Sequence, residues 1–509
     1  MAETKREIER KYEATAETRL PDLTRAAGVA SVTGEGVTEL DAVYYDTADL
    51  RLAADALTLR RRTGGLDAGW HLKFPVAAGI RDEIRAPLSE TLPHSLARLL
   101  RSRVRRAGVV PVVRLRSSRD VRHLRDADGT ILAELSVDTV HADRLLPGPG
   151  GRTTAAWTEI EVELADDADP AVLDAVEKRL RKAGIRPSDS SSKLARALGE
   201  TGLAPGPPKP AGPDGDGSAG AAVLAYVREQ AEAVVRLDPA VRRDLPDAVH
   251  QMRVACRRLR SAFKTFREVL DRDVTDPVGA ELKWLAGELG HARDQEVLDA
   301  RLSDALDALP RELRHGPVRG RFRTWSNARS RGARHRVLGA LDSPRHLALL
   351  DALDGVLADP PLRPAARKKA AKVLPKAIRH DHRRLAGRIG PALGLDPGHE
   401  RDLALHEARK AAKRARYAAD AAVPVLGKPA KRFAKRVKAV QSLLGDHQDT
   451  VVARAALDDL ALQAESAGEP SFTWGVLHAR QEAAAAAQER ELPGVWERVV
   501  TGHAAGRPI

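Results

Sequence analysis

The stretch Trp157-Thr158-Glu159-Ile160-Glu161-Val162-Glu163-Leu164 decides how the first part of the chain folds. Successive side chains on a strand point to opposite faces, so Glu159, Glu161 and Glu163 share one side and Ile160, Val162 and Leu164 the other. Such a strand has an apolar outside and an acidic inside. Glu7-Ile8-Glu9-Arg10-Lys11 has the same parity and sends two carboxylates and an ammonium one way. Between these stretches, Leu57 to Arg62, His71-Leu72-Lys73, Arg81-Asp82-Glu83-Ile84-Arg85 and Val113-Arg114-Leu115-Arg116 add cations at alternating positions. Arg10, Arg61 and Asp82 fall on the opposite parity and read as surface charges, while His71 is compatible with either face.

Further short alternating segments, Val43 to Asp46, Val112 to Arg116 and Ile131 to Val140, end in turn residues, which is an antiparallel pattern. Helices are predicted over Leu92 to Ala107 and Pro170 to Ala183. A single alternating charged strand is usually a solvated sheet face. Several strands that are each polar on one side only imply an enclosed lumen instead, and charges buried there need interleaved partners or a ligand. A triphosphate with a divalent metal supplies both signs: Lys and Arg hold phosphoryl oxygens, and carboxylates suit Mg2+ or Mn2+.

Residues 204 to 222, APGPPKPAGPDGDGSAGAA, cannot bury apolar surface and read as a flexible linker between a domain over 1–203 and a second over 223–497. Residues 1–200 carry balanced charge, so the whole excess of +13 falls after them. There the period becomes helical, with breaks expected at Asp238-Pro239, Asp276-Pro277, Asp359-Pro360-Pro361 and Asp396-Pro397-Gly398. Val249, His250, Arg253, Arg257, Arg258 and Arg260 recur 156 positions on as Leu405, His406, Arg409, Lys413, Arg414 and Arg416. At about 100° per residue, the +0, +3, +7 and +10 positions fall within roughly 80° of a helix circumference. Each copy therefore carries a basic stripe. Leu289-Gly290-His291-Ala292-Arg293-Asp294 likewise matches Leu444-Gly445-Asp446-His447-Gln448-Asp449, and Lys283 matches Lys438, so the half is an internal duplication. Two facing cationic stripes suit a polyanion; aromatics make up only 3% of the chain, which argues against stacking on single-stranded nucleic acid. The single cysteine, Cys256, excludes an internal disulfide and reads as a packing residue.

These residues also carry family resemblances. Glu7, Glu9 and Lys11, the Tyr44-Tyr45-Asp46-Thr47 segment, Leu59 to Arg62, Lys73, Arg81-x-Glu83, the triple-Glu strand and Ser192-Lys193 together resemble the CYTH triphosphate tunnel family over roughly residues 5–198. The resemblance implies an α+β protein whose first domain is an antiparallel eight-stranded β tunnel acting on triphosphates with Mg2+ or Mn2+. It implies metal-binding roles for Glu7, Glu9, Asp138, Glu159, Glu161 and Glu163. Phosphate-binding roles fall to Lys11, Arg60, Arg62, Lys73, Arg81, Arg114, Arg116 and Lys193, with Glu161, Lys73 and Arg62 as the catalytic set. The paired His-x-x-Arg helices resemble the CHAD domain, which implies an all-α domain of two pseudo-symmetric four-helix bundles that binds inorganic polyphosphate. The residues expected to bind it are His250, Arg253, Arg257, Arg260, Lys264 and Lys283 from the first copy, and His406, Arg409, Lys413, Arg416 and Lys438 from the second.

The leading expectation is thus a metal-dependent triphosphatase, foremost of inorganic triphosphate, carrying a polyphosphate-binding module. A non-catalytic polyphosphate scaffold with a binding-only tunnel is the alternative, followed by a thiamine triphosphatase, an adenylyl cyclase or a nucleic-acid binder. With a charged start and no run of eighteen apolar residues, the chain reads as cytoplasmic, or associated with polyphosphate granules, without membrane insertion.

Overall fold

The computed structural model describes residues 3–65, 67–147, 153–203 and 217–504. The chain divides into two compact units, Met1–Lys209 and Pro210–Ile509. Most of the linker, residues 204–216, lies outside the described residues, and residues 219–222 belong to a helix rather than to the linker.

In the first unit the elements run β1 (Glu3–Ala14), β2 (Ser31–Asp46), α1 (Arg51–Ala54), β3 (Thr58–Thr63), β4 (Gly69–Ala77), β5 (Ile80–Ala86), α2 (His94–Val104), β6 (Val110–Arg125), β7 (Ile131–Arg144), β8 (Thr154–Leu164), α3 (Ala171–Lys182) and α4 (Lys193–Glu200). The eight strands close into an antiparallel barrel in the order β1-β5-β4-β3-β2-β6-β7-β8. Strand β1 makes the closure: residues 3–8 pair with β5, and residues 9–14 with β8.

The barrel wall is covered where its outer face is apolar. Ile160, Val162 and Leu164 of β8 pack with Ala133 and Leu135 of β7 under Val172, Leu173, Val176 and Leu180 of α3. On the opposite wall, Leu59, Leu72 and Ile84 pack under Leu96, Leu99 and Leu100 of α2. Inside, the lumen has two regions. At one end Tyr44, Val113, Leu115, Val140 and Trp157 pack against Leu194, Ala197 and Leu198 of α4, making an apolar plug. Ser192 caps this helix by accepting a hydrogen bond from the Ala195 backbone N–H at 3.0 Å. Beyond the plug the lumen is charged.

Two strands run longer than expected, since β2 starts at Ser31 and β6 extends to Arg125, paired with each other along that length apart from bulges. Gly34-Glu35-Gly36 and the arginine-rich run from Arg116 lack the apolar alternation that marks a strand, so pairing rather than pattern extends them.

The second unit consists, among the described residues, of nine α-helices: α5 (Ala219–Arg242), α6 (Ala248–Thr265), α7 (Arg272–Asp307), α8 (Val318–Asp342), α9 (Pro344–Ala358), α10 (Ala370–Leu393), α11 (His399–Leu426), α12 (Lys428–Ser466) and α13 (Phe472–Ala504). The duplicated helices α6 and α11 pack against one another. The two copies share their cores: the larger apolar cluster runs from Ala219 of α5 to Val499 of α13, and a second joins Leu302 of α7 and Trp325 of α8 to Leu457 of α12 and Leu477 of α13. Cys256 is fully buried in the larger cluster, and burial pushes its thiol up to about 12.

Two expected breaks are absent, because α5 runs through Pro239 and α7 through Pro277. Each ring sits near a helix end, where it removes one backbone hydrogen bond without stopping the helix. No helix among the described residues is long and apolar enough to cross a membrane.

Candidate functional site

The charged part of the lumen is built from alternate residues of several strands. Glu7, Glu9 and Lys11 project from β1, Arg60 and Arg62 from β3, Lys73 from β4, Arg81 and Arg85 from β5, Arg119 from β6, Glu134 from β7 and Glu161 and Glu163 from β8. Lys193 enters from the first residue of α4. These residues line one cavity of about 180 Å3.

The charges interleave. Lys193 Nζ lies 2.8, 2.7 and 2.6 Å from oxygens of Asp138, Glu159 and Glu161. Arg119 takes Asp138 with both arms, at 2.7 and 2.8 Å, and Glu161 at 2.8 Å. Lys11 contacts Glu161 and Lys73 lies 2.5 Å from Glu7. Burial alone would raise the Glu161 carboxyl, but Lys11, Lys193 and Arg119 outweigh it and hold it well below the usual range. Glu7 goes the other way, raised chiefly by burial.

The cations are unevenly compensated. Arg62 is pulled down to about 9, first by burial and then by its neighbours Arg60 and Arg119. Asp67 contacts Arg62, yet burial and the neighbouring guanidiniums outweigh it, which marks a place for a further anion. His71 shares this face. Both its ring nitrogens meet acceptors, Glu83 Oε1 at 2.9 Å and the Asp67 carbonyl at 2.8 Å.

In the second unit the two stripes occupy α6 and α11. Arg253 Nη1 lies 2.6 Å from Asp294 Oδ1, and Arg409 Nη2 lies 4.0 Å from Asp449. Each guanidinium rests on a glycine of the next helix: a Cβ at Gly290 would come within 3.1 Å of Arg253, and one at Gly445 within 3.5 Å of Arg409. The duplicated Leu-Gly motif thus makes room for the stripe. Lys413 is half-buried and pulled down to about 6 by burial and then by Arg257, Arg409 and Arg253. Arg257 is likewise lowered, to about 10. His250 and His406 are both lowered chiefly by burial, and His406 Nδ1 lies 2.5 Å from Gln448 Oε1. Arg260 and Arg416 are half-buried, whereas Lys264, Lys283 and Lys438 are exposed. Arg414 leaves the stripe to pair with buried Asp381 at 2.8 Å.

Family models match residues 5–198 as a CYTH domain and residues 225–458 as a CHAD domain. The chain belongs to the CYTH–CHAD family. Two uncharacterized proteins of Mycobacterium tuberculosis, MT2285 and Rv2226, are each 40% identical over 501 residues, covering 95% of this chain and 94% of theirs. Among solved structures, the CHAD domain from the plant Ricinus communis is similar with a TM-score of 0.46 and 28% identity, covering 57% of this chain and 93% of that one. HpAC1 from Hippeastrum, described as having a dominant triphosphatase activity, is similar with a TM-score of 0.25 and 18% identity, covering 38% of this chain and 96% of that one.

Within the CYTH domain two expected ligands are misplaced. Arg114 and Arg116 stand on the outer wall, 48% and 59% exposed, paired with Asp41 and Asp143. At the plugged end the inward positions of β6 are Val113 and Leu115, because α4 makes that part of the lumen apolar. The polar face is therefore outside there. Arg119, on the inward parity and 18% exposed, was not singled out by the sequence, although its pairing partner Asp138 was. Asp82, read as a surface charge, is buried on the outer face and pairs with Arg6 at 2.6 Å.

The CYTH carboxylates fit a hard divalent cation. Asp138, Glu159 and Glu161 bring their oxygens within 4.8 Å of one another. The ammonium of Lys193 sits among all three, with the sign of charge a metal ion would bring.

Proposed function

We propose that the CYTH domain is a metal-dependent triphosphatase whose substrate is inorganic triphosphate, and that the CHAD domain binds inorganic polyphosphate. The observation that carries the first half is the guanidinium cluster of Arg60, Arg62 and Arg119 facing a wall of carboxylates in an enclosed lumen. An anion there offsets the burial and the neighbouring guanidiniums that together lower Arg62, and a linear chain of phosphoryl groups needs no nucleobase pocket.

Arg60 and Arg62 hold non-bridging oxygens, Arg119 adds positive charge from its pairing with Asp138 and Glu161, and Lys73 and Lys11 act as point charges. Phosphoryl transfer asks mainly for positioning and for charge stabilisation where charge develops, which fixed guanidiniums supply without reorganisation. Glu7, Glu9, Asp138, Glu159, Glu161 and Glu163 would hold Mg2+ or Mn2+. Bound there, such an ion would supply charge neutralisation at phosphoryl oxygens and a lowered pKa for a water.

The test is phosphate release from tripolyphosphate, thiamine triphosphate and ATP, each with Mg2+ and Mn2+. Tripolyphosphate is expected to turn over fastest, and Glu161→Gln and Lys73→Ala to lower its rate by at least about 100-fold. Equal rates in all three proteins would refute the assignment.

The polyphosphate half is supported by the crowd of Arg253, Arg257, Arg409 and Lys413, which is under-compensated by Asp294 and Asp449. Competition between long-chain polyphosphate and duplex DNA tests it, with polyphosphate expected to displace the DNA. Fusing the two activities in one chain raises the concentration of phosphate chains available to the tunnel.

A further inference from the structure

The second copy of the CHAD duplication contains a cluster that the first lacks and that neither proposed activity uses. Asp402 of α11, His447 of α12 and Glu489 of α13 converge from three helices, with one ligand atom of each within 4.8 Å of the others. His447 is 3% exposed. Its Nε2 lies 3.0 Å from Glu489 Oε1 and 3.5 Å from Asp402 Oδ1. The other oxygen of each carboxylate is held from behind, Asp402 Oδ2 by Arg454 at 2.8 Å and Glu489 Oε2 by Arg401 at 3.3 Å.

From this arrangement we propose that Asp402, His447 and Glu489 form a zinc site, with a coordination position open toward the adjoining cavity. Donor atoms about 2.0–2.1 Å from a tetrahedral zinc ion stand about 3.3–3.4 Å apart around it, and the two spacings at Nε2, 3.0 and 3.5 Å, bracket that edge. An imidazole nitrogen with two carboxylate oxygens is a donor set for zinc rather than for magnesium or calcium, which take oxygen alone. Arginines on the outer oxygens leave the inner ones aimed at a common point, as outer partners of metal ligands do. As a purely ionic network the arrangement is poorly matched, because Nε2 carries at most one hydrogen toward two acceptors.

The cavity beside the trio is about 600 Å3 and is lined by Arg401, Asp402, Arg454, Glu482 and Glu489 among others. It gives an ion an entry path, and its arginines suit an anionic fourth ligand such as phosphate. The fold does not require the trio. At the corresponding positions of the first copy stand Ala292 for His447 and Pro246 for Asp402, and those helices pack without it.

The site belongs to a different unit from the tunnel and is independent of whether either proposed activity holds. Full-length, tag-free protein, stripped of metal with a chelator, is titrated with Zn2+ by calorimetry and then studied at one equivalent by zinc-edge X-ray absorption. The wild type is expected to bind saturably with an imidazole component in the absorption spectrum. That component should persist in Glu161→Gln, which alters only the tunnel carboxylates, and disappear in His447→Ala, with Glu489→Gln losing at least tenfold in affinity. An oxygen-only spectrum in the wild type overturns the proposal whether or not the variants fold. So does an imidazole component that survives in folded His447→Ala.

Discussion

Arg119 and Arg114 lie five positions apart on β6 and end on opposite sides of the barrel wall. Their chemistry is the same, so any difference in effect must come from placement. Arg119→Ala is expected to lower kcat/KM for tripolyphosphate about 100-fold, the scale of losing one preorganised donor, and Arg114→Ala to change it less than about twofold. Steady-state kinetics on the two variants decides. Lys413 makes a second prediction at this scale. Its duplicate, Arg257, stays charged at any ordinary pH, whereas a lysine pulled down to about 6 is neutral in the empty groove above that pH. A phosphate chain raises it again, so binding takes up a proton between about pH 6 and Lys413's ordinary value near 10.5. Affinity is therefore full below pH 6 and weakens by up to about tenfold per pH unit above it. Calorimetry in two buffers of different ionisation enthalpy measures the uptake, which should vanish in Lys413→Arg; no uptake in the wild type rules the linkage out.

Among the elements, α4 has two duties. Its apolar face closes the lumen and its first residue, Lys193, reaches three carboxylates. Leu198 is fully buried in the plug, so Leu198→Ala should cost about 2–5 kcal/mol of stability, read from denaturant unfolding. The long helices α7 and α12 depend on a smaller detail. Gly290→Ala places a methyl group against the Arg253 guanidinium and is expected to weaken polyphosphate binding by about tenfold. Gly445→Ala, with more room, should weaken it less. Both glycines stood out in sequence only as members of a repeat. That they leave space for an arginine on the neighbouring helix requires knowing how α6 packs on α7 and α11 on α12.

For the whole molecule, the two units differ in how charge is distributed: the first 200 residues are balanced and interleaved, and the +13 excess belongs to residues 201–509. Polyphosphate at 100 times its Kd should add about 2.7 kcal/mol to the unit that binds it. In thermal melts of the full chain, long-chain polyphosphate is therefore expected to raise the transition assigned to the helices. Tripolyphosphate with Mg2+ should raise that assigned to the barrel. One shared shift for both ligands would contradict separate sites. The strand parities at Glu7, Glu9, Lys73 and Glu161, and the repeated stripe, were set by local rules: two-residue and 3.6-residue periods act along the chain and need no partner to be read. The inside-out exchange at β6, the capture of Arg119 by Asp138 and Glu161, the cores shared by both helical copies and the meeting of Asp402, His447 and Glu489 were decided only by the tertiary structure. Each depends on which distant segment arrives opposite, and side-chain period carries no information about that.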